Sequence, residues 1–298
     1  MASFNHIMRL FFLLCLTFAT NLFAQPVSIV TSFAILADIS KNIGKDHVQV
    51  TALIKINTDP HSFKPTAKDI RALQNAKLVV INGLNFEPWM QRLLKAADYQ
   101  GQVVVASDGI VPIKITEKVS DPHAWQEVNN TQQYVKNITQ ALIAIDSKHQ
   151  ADYQQQSQDY LQQLQQLDTW VKQQFINIPL AQRKVISSHQ AFAYFGKAYG
   201  IQFYAPQGIN DQARPSAGGV ARLIRQMRQR HIKVLFAEHK ANQRLLQQIA
   251  QETNAIIGGH LYSGSLTPQG GEADSYINLI KHNTTALKNS LSQIDKSK

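Results

Sequence analysis

The chain has 298 residues, of which 44% are hydrophobic and 17% are charged, a composition that excludes a disordered or acidic-tail protein and leaves room for two folded domains. Its 30 Lys and Arg outnumber its 20 Asp and Glu, giving a net charge of +10 that raises the question of nucleic-acid binding. The single Cys excludes an intramolecular disulfide framework and metal sites built from cysteine alone, so any metal chemistry depends on the 10 His and the carboxylates.

The amino terminus has the pattern of a secretory signal peptide. An apolar run at residues 10–19 follows Arg9, and the small residue Ala24 provides a cleavage position. Such a run is too short to cross about 30 Å of hydrocarbon as a helix. Cys15 lies inside the run and is not preceded by a small residue, so we expect no lipid anchor; Met8 is an alternative start. The mature protein is therefore expected to be soluble and periplasmic.

Beyond the signal peptide, short β-branched runs alternate with segments of helical period in both halves of the chain. In the first half, strands are predicted at 27–30, 48–54, 78–81 and 103–106, and helices at 34–43, 67–75 and 89–97. In the second half, strands are predicted at 184–187, 202–204, 234–236 and 256–257, and helices at 191–199, 220–230, 244–252 and 275–290. This alternation predicts βαβ units, and hence an α/β fold with parallel sheets covered by helices on both faces.

A different segment lies between the halves, at residues 148–175, and contains neither Gly nor Pro. Its apolar and small side chains fall on one face of a single helix: Tyr153, Ser157, Tyr160, Leu164, Leu167 and Val171. We predict a stiff linking helix; an ordinary surface helix or a short coiled coil is the alternative. The chain then divides into a signal peptide at 1–24, an N-terminal α/β lobe at 25–146, the linking helix at 147–178 and a C-terminal α/β lobe at 179–298.

Four side chains of metal-ligand type lie just after predicted strands, two in each half of the chain. They are His61, His123, His189 and Asp274. Ligands of an open parallel sheet bind beyond the carboxyl ends of the strands, so the four are candidates for one site between the halves. Three imidazoles and one carboxylate suit zinc better than manganese. The alternatives are loop or capping histidines and, for Asp274, the N-cap of the following helix, with Glu272 as another candidate carboxylate.

Both histidines of the first half end an Asp-Pro-His motif, at residues 59–61 and 121–123. Proline restricts the loop backbone, and the Asp can accept an imidazole N–H and so fix the tautomer that binds metal. Glu238 ends a predicted strand and is a candidate for the same role, or for an ion pair with Lys or Arg. His260 is a candidate transient ligand. The remaining histidines are expected to be exposed to solvent: His47, His149, His231, His239 and His282.

Several motifs together give the chain a family resemblance. They are Asp-Pro-His-Ser-Phe at 59–63, Asn-Gly-Leu-Asn-Phe-Glu-Pro-Trp at 82–89, Asp-Pro-His-Ala-Trp at 121–125, Ser-His-Gln-Ala-Phe at 188–192, Phe-Ala-Glu at 236–238, Gly-Gly-His-Leu-Tyr at 258–262 and Ala-Asp-Ser-Tyr at 273–276. In these motifs the chain resembles the metal-binding solute-binding proteins of bacterial ABC transporters, the cluster A-I family, which capture zinc or manganese outside the inner membrane. The resemblance covers essentially the whole mature chain.

The resemblance implies two lobes, each a four-stranded parallel sheet flanked by helices, joined by one long rigid helix with the metal in the cleft between them. Carried over by motif, the ligands are His61, His123, His189 and Asp274. Zinc-specific relatives often carry a His-rich loop before the second ligand, which is absent here, and manganese-type relatives usually have Glu at the position of His189. The implied cargo is therefore Zn²⁺, with Mn²⁺ second, and the implied partner is an inner-membrane ABC permease with its ATPase.

Two other classes of function compete with metal capture. In an exported zinc-dependent hydrolase, Glu238 would act as general base, but a fourth ligand would close the site, and the chain has no His-Glu-x-x-His motif. An adhesin or envelope structural protein would show no metal dependence. The basic residues at 222–233 lack an aromatic stacking platform, so we expect a solvated face or a permease contact and no nucleic-acid binding. We expect a monomer and no enzymatic activity.

Overall fold

Two parallel β-sheets organise the protein in a computed structural model that describes residues 25–56, 63–205, 216–238 and 243–294. The first sheet contains β1 (Val27–Phe33), β2 (Val48–Ile54), β3 (Leu78–Ile81) and β4 (Gln102–Val105) in the order β2-β1-β3-β4. The second contains β5 (Lys184–Ile186), β6 (Gln202–Tyr204), β7 (Val234–Glu238) and β8 (Ile256–Leu261) in the order β6-β5-β7-β8. Neighbouring strands pair in parallel throughout both sheets, which confirms the predicted α/β fold of two four-stranded lobes.

The helices that the structure describes lie mostly where the sequence predicts them. They are α1 (Ala34–Gly44), α2 (Ala67–Gln74), α3 (Met90–Ala96), α4 (Val128–Ile145), α5 (Gln150–Phe175), α6 (Ala193–Tyr199), α7 (Ala217–Arg230), α8 (Gln243–Thr253) and α9 (Tyr276–Gln293). Helix α4 was not predicted from the sequence, and α5 begins two residues later than predicted because Ser147–His149 form a 3₁₀ turn. None of these helices combines the length and apolar character that crossing a membrane requires.

The linking helix α5 is part of the core. The six side chains that the sequence assigns to one face are all buried, and they pack against α1 and α4 of the first lobe and α9 of the second. One apolar cluster among the described residues therefore runs through both lobes, from Phe33 at the end of β1 through Leu164 to Leu279 of α9. A smaller cluster, centred on Leu223 and Met227 of α7, lies within the second lobe alone.

The strand order identifies where each lobe is able to bind a ligand. In both sheets the connections reverse direction between the two central strands, β1 and β3 in one lobe and β5 and β7 in the other. Diverging loops leave a crevice beyond the carboxyl ends of such strands. His189 follows β5 and Glu238 ends β7, so both lie at this crevice of the second lobe.

Candidate metal centre

His123 is buried in the loop that follows β4, with 1% of its surface exposed. Oδ1 of Asp121 accepts the backbone N–H of His123 at 2.9 Å and lies 2.7 Å from the ring Nδ1. Because an ionised carboxylate only accepts hydrogen bonds, we assign the ring proton to Nδ1, which leaves the Nε2 lone pair as the metal-binding atom. Burial lowers the pKa of His123 below its usual 6.5, against the opposing effect of Asp121, so the ring is neutral at pH 7.

His189 also lies beside a carboxylate in the other lobe, although its ring contact is a close approach that lacks hydrogen-bond geometry. Oε1 of Glu238 accepts the backbone N–H of His189 at 3.1 Å, and Oε2 lies 2.8 Å from the ring Nδ1. The hydroxyl of Ser188 in turn accepts the backbone N–H of Glu238 at 3.1 Å. Of the two roles that the sequence left open for Glu238, the structure therefore shows the contact with a histidine.

The two histidines face each other across the lobes. Their ring centroids lie 5.5 Å apart, with an interplanar angle of 67°. A metal ion bound tetrahedrally at about 2.1 Å from one nitrogen of each ring would separate the centroids by roughly 5 Å. The observed separation is close to this value, so His123 and His189 are spaced for a shared ion.

Of the other two predicted ligands, the structure describes only Asp274, and it does not group Asp274 with this pair. His61 lies outside the described residues. The Asp274 carboxylate accepts the side-chain N–H of Asn278 at 2.8 Å and the backbone N–H of Gly270 at 2.9 Å, and these hydrogen bonds lower its pKa. Within the described ranges, no three His, Cys, Asp or Glu side chains are grouped so as to hold a metal ion. The N-cap of α9 is Ser275, so the capping alternative for Asp274 is wrong.

A buried polar network supports the His123 loop from the first sheet. The side-chain amide of Asn82, just after β3, donates to the carbonyl of Pro122 at 3.0 Å, one residue before His123. Asn82 is held by Glu87, whose Oε1 accepts its backbone N–H at 2.7 Å and also the hydroxyl proton of Ser32. Burial raises the pKa of Glu87 to about 7, against these hydrogen bonds. The sequence indicated this group only as part of the motif at 82–89, since its partners are distant along the chain.

Aromatic rings make the wall beside His123 apolar. Phe33, Phe86 and Trp125 contact one another at centroid distances of 4.8 to 5.0 Å, and the ring of Trp125 lies 5.3 Å from that of His123. Phe33 comes from the end of β1, so the wall lies at the crevice of the first sheet. An apolar wall of this kind strengthens the electrostatic interaction between a ligand atom and a bound cation.

Of the histidines expected to be solvated, three have defined partners, and His239 lies outside the described residues. The ring of His282 lies 3.0 Å from the carbonyl oxygen of His260. The rings of His47 and His149 stack at 3.8 Å, and each lies beside a carboxylate, Asp152 at 3.0 Å and Asp146 at 2.7 Å respectively. Both side chains remain partly exposed, at 32% and 24%, but their stacking was not predicted because the two histidines are far apart along the chain. His260 and Glu272, the candidate transient ligand and candidate carboxylate, are both exposed.

Comparison with known proteins decides the family. Residues 29–290 match the model of the family described as the periplasmic component A of the zinc-uptake complex. The chain belongs to this zinc-uptake component A family. Its members are solute-binding components of metal ABC transporters and are not enzymes, so the hydrolase alternative is set aside.

Relatives of the chain differ in the metal for which they are named. The manganese-binding lipoprotein MntA of Halalkalibacterium halodurans is 31% identical over 270 residues, covering 90% of each chain. The iron-binding protein YfeA of Yersinia pestis is 33% identical over 262 residues, covering 86% of this chain and 84% of its own. Because MntA is named as a lipoprotein, this comparison does not support our expectation that the chain lacks a lipid anchor.

Solved structures share the fold over nearly their whole length. The periplasmic zinc-binding protein TroA from Treponema pallidum superposes with a TM-score of 0.84 at 27% identity. A periplasmic metal-binding protein from Candidatus Liberibacter asiaticus superposes with a TM-score of 0.81 at 30% identity. In both comparisons the match covers 89% of this chain and 99% of the other.

Proposed function

We propose that the protein captures a divalent transition metal outside the inner membrane, with zinc preferred over manganese, and delivers it to an ABC permease and its ATPase. One observation carries this proposal. Two buried histidines from opposite lobes lie 5.5 Å apart, and each presents its Nδ1 to a carboxylate. Family membership and the transporter names of the relatives support the delivery step. His61 and Asp274 are proposed as the other two ligands.

The preference for zinc follows from the chemistry of the proposed ligands. Imidazole nitrogen binds Zn²⁺ more strongly than Mn²⁺, whereas carboxylate oxygen discriminates less between them. A set with three imidazoles and one carboxylate therefore favours zinc. The relatives named for manganese and iron show that the family accommodates other ions, so the preference in this chain must be measured directly.

Each protein group has a defined part in capture. Asp121 and Glu238 orient the two rings and stabilise the positive charge that a bound ion brings into the buried site. Each oxygen of the Asp274 carboxylate accepts one hydrogen bond, from Asn278 or Gly270, and keeps a lone pair that can bind the ion. We propose that Asp274 joins and leaves the site by movement of its loop or a modest tilt of the lobes, because the continuous core opposes wide opening. Superposable lobes and loops in metal-free and metal-bound crystals would contradict this mechanism.

Titration of the chelator-treated protein with Zn²⁺ and Mn²⁺ tests the proposal. We expect tighter binding of Zn²⁺, and a loss of at least about 100-fold in affinity in His123→Ala and in His189→Ala. His231→Asn is a matched control, because His231 is exposed at the end of α7 in a left-handed conformation, φ 54°, that Asn tolerates. Equal affinity in all three variants, or no binding by the unmodified protein, would refute metal capture at this site.

The pH dependence of affinity provides a second test. Imidazole must be neutral to bind metal, so protons compete with the ion and affinity falls as pH is lowered. Because burial lowers the pKa of His123, its part of the loss occurs below pH 6.5. Dissociation constants measured from pH 7.5 to 4.5 should rise steadily toward the acid end. A constant affinity over this range would contradict a site built from three imidazoles.

A further inference from the structure

Two tyrosines of the second lobe hold the loop that carries His123, one on each side of that histidine. Each of them follows a proposed ligand of its own lobe, Tyr194 after His189 and Tyr276 after Asp274. Both rings are buried, with 1% and 0% of their surface exposed. The loop at 121–125 of the first lobe is thus hydrogen-bonded to the elements that follow the proposed ligands of the second lobe.

Tyr194 holds the loop before His123. Its hydroxyl donates to the carbonyl of Asp121 at 3.0 Å and accepts the backbone N–H of Ile113 at 3.0 Å. Asp121 is the residue whose carboxylate orients the ring of His123. Tyr194 lies on α6, five residues beyond His189, so a single side chain connects the segment of one histidine to the orienting residue of the other.

Tyr276 holds the loop after His123. Its hydroxyl donates to the carbonyl of Trp125 at 2.8 Å and accepts the hydroxyl proton of Thr131 at 2.9 Å. Its backbone N–H donates to Oδ2 of Asp38 on α1 at 2.9 Å. Tyr276 is the first residue of α9, two residues beyond Asp274, so it fixes the start of that helix against the first lobe at two points.

We propose that Tyr194 and Tyr276 are positioning residues that set the distance between the ligands of the two lobes and slow the dissociation of the captured ion. This inference rests on the proposed function and assigns it a further pair of residues. The continuous core includes Trp125 of the loop together with Phe192 and Ala273 beside the two ligand segments, but apolar packing has no preferred direction. The two hydroxyls add directional hydrogen bonds to the loop next to the site.

Removing a hydroxyl should therefore loosen the site without removing a ligand. Tyr194→Phe leaves the ring in place but deprives the Asp121 carbonyl and the Ile113 N–H of their partner. Loss of a buried hydrogen bond of this kind corresponds to a change of about threefold to tenfold in an equilibrium constant. Effects of such changes on affinity occur mostly in the dissociation rate. We therefore expect Zn²⁺ to dissociate about threefold to tenfold faster from Tyr194→Phe and from Tyr276→Phe.

Tyr199→Phe is the matched control. The hydroxyl of Tyr199 also crosses between elements, donating to Asp168 of α5 at 3.0 Å and accepting the backbone N–H of Val128, but it touches neither the loop at 121–125 nor a ligand segment. Its removal should lower the melting temperature of the metal-free protein as much as the other two changes do. It should leave the dissociation rate of Zn²⁺ unchanged, which separates positioning from general stability.

The experiment is stopped-flow release of Zn²⁺ from the loaded full-length protein into an excess of chelator, with melting of the metal-free protein in parallel. Faster release in Tyr194→Phe and Tyr276→Phe, with release unchanged in Tyr199→Phe, supports the positioning role. Equal rates in the three variants and the unmodified protein, or equal acceleration in all three variants, overturn it. Failure of the unmodified protein to bind Zn²⁺ or Mn²⁺ would overturn the proposed function instead, so the two failures are distinguishable.

Discussion

At the scale of single residues, the site depends on carboxylates that lie behind the proposed ligands. Asp121 and Glu238 face the ring nitrogens of the two histidines, and Glu87 lies one step further away, behind Asn82. The sequence suggested Asp121, because Asp-Pro-His places an acceptor two residues before its histidine, and it offered Glu238 as a candidate for the same role. Glu87 acts through tertiary contacts with Ser32 and the loop after β3, which no local pattern specifies.

Glu87 should make the stability of the protein depend on pH. Burial raises its pKa from 4.5 to about 7, so between these values the folded state binds a proton that the unfolded state does not. Stability therefore falls as pH rises from 4.5 to 7, by about 3 kcal/mol from this group. In Glu87→Gln that contribution should vanish, because the amide does not ionise. Unfolding in denaturant at pH 4.5, 5.5, 6.5 and 7.5 measures the difference between the two proteins.

The exposed Glu117 supplies the control for this prediction. Glu117→Gln removes a carboxylate that remains in water, so the free energy of unfolding should follow the same pH curve as in the unmodified protein. Glu87→Gln is expected to be less stable at low pH, since its amide N–H₂ replaces one of the two oxygens that accept from Asn82 and Gly83. Its pH curve should nevertheless be flatter. A slope as steep as that of the unmodified protein would show that Glu87 does not titrate in this range.

At the scale of elements, the sequence predicts what depends on local pattern and misses what depends on packing. The buried face of α5 follows from its spacing alone. β8 was predicted only at 256–257 but extends to Leu261. A side chain at Gly258 would collide with Phe236 and Ser290, so packing requires glycine at a position where strand propensity disfavours it. Helix α4 was missed because its first turn is rich in Asn and its buried positions include Thr131 and Thr139, which break an apolar pattern.

Helix α5 should make the two lobes unfold together. Leu164 is fully buried at the middle of the helix, within the apolar cluster that runs through both lobes. Leu164→Ala should lower the free energy of unfolding by about 2–5 kcal/mol and leave a single transition, because the cavity weakens a core that both lobes share. Gln163→Ala, at an exposed position one residue away, should change stability by less than about 0.5 kcal/mol. Separate unfolding transitions for the two lobes would show that α5 connects them without coupling their unfolding.

At the scale of the whole molecule, α5 and the metal connect the lobes at different places. The helix joins them through the apolar core, and the proposed ion joins them through side chains of both lobes. A ligand that binds only the folded state stabilises it by mass action, by about 2.7 kcal/mol at a free concentration 100 times its dissociation constant. For a chain of this size, such a gain corresponds to a rise of roughly 5–10 °C in the melting temperature.

The rise in melting temperature should disappear in His123→Ala and His189→Ala but persist in His231→Asn. Each of the first two variants removes a proposed ligand from a different lobe. A 100-fold loss of affinity at the same free concentration of zinc would leave a stabilisation of only about 0.4 kcal/mol. Melting of chelator-treated and zinc-loaded protein by calorimetry gives the comparison, and Mn²⁺ at the same free concentration should produce the smaller rise. If His123→Ala and His189→Ala both kept the full rise in melting temperature with zinc, the ion would have to bind outside the interlobe site. Its stabilising effect would then not come from connecting the two lobes.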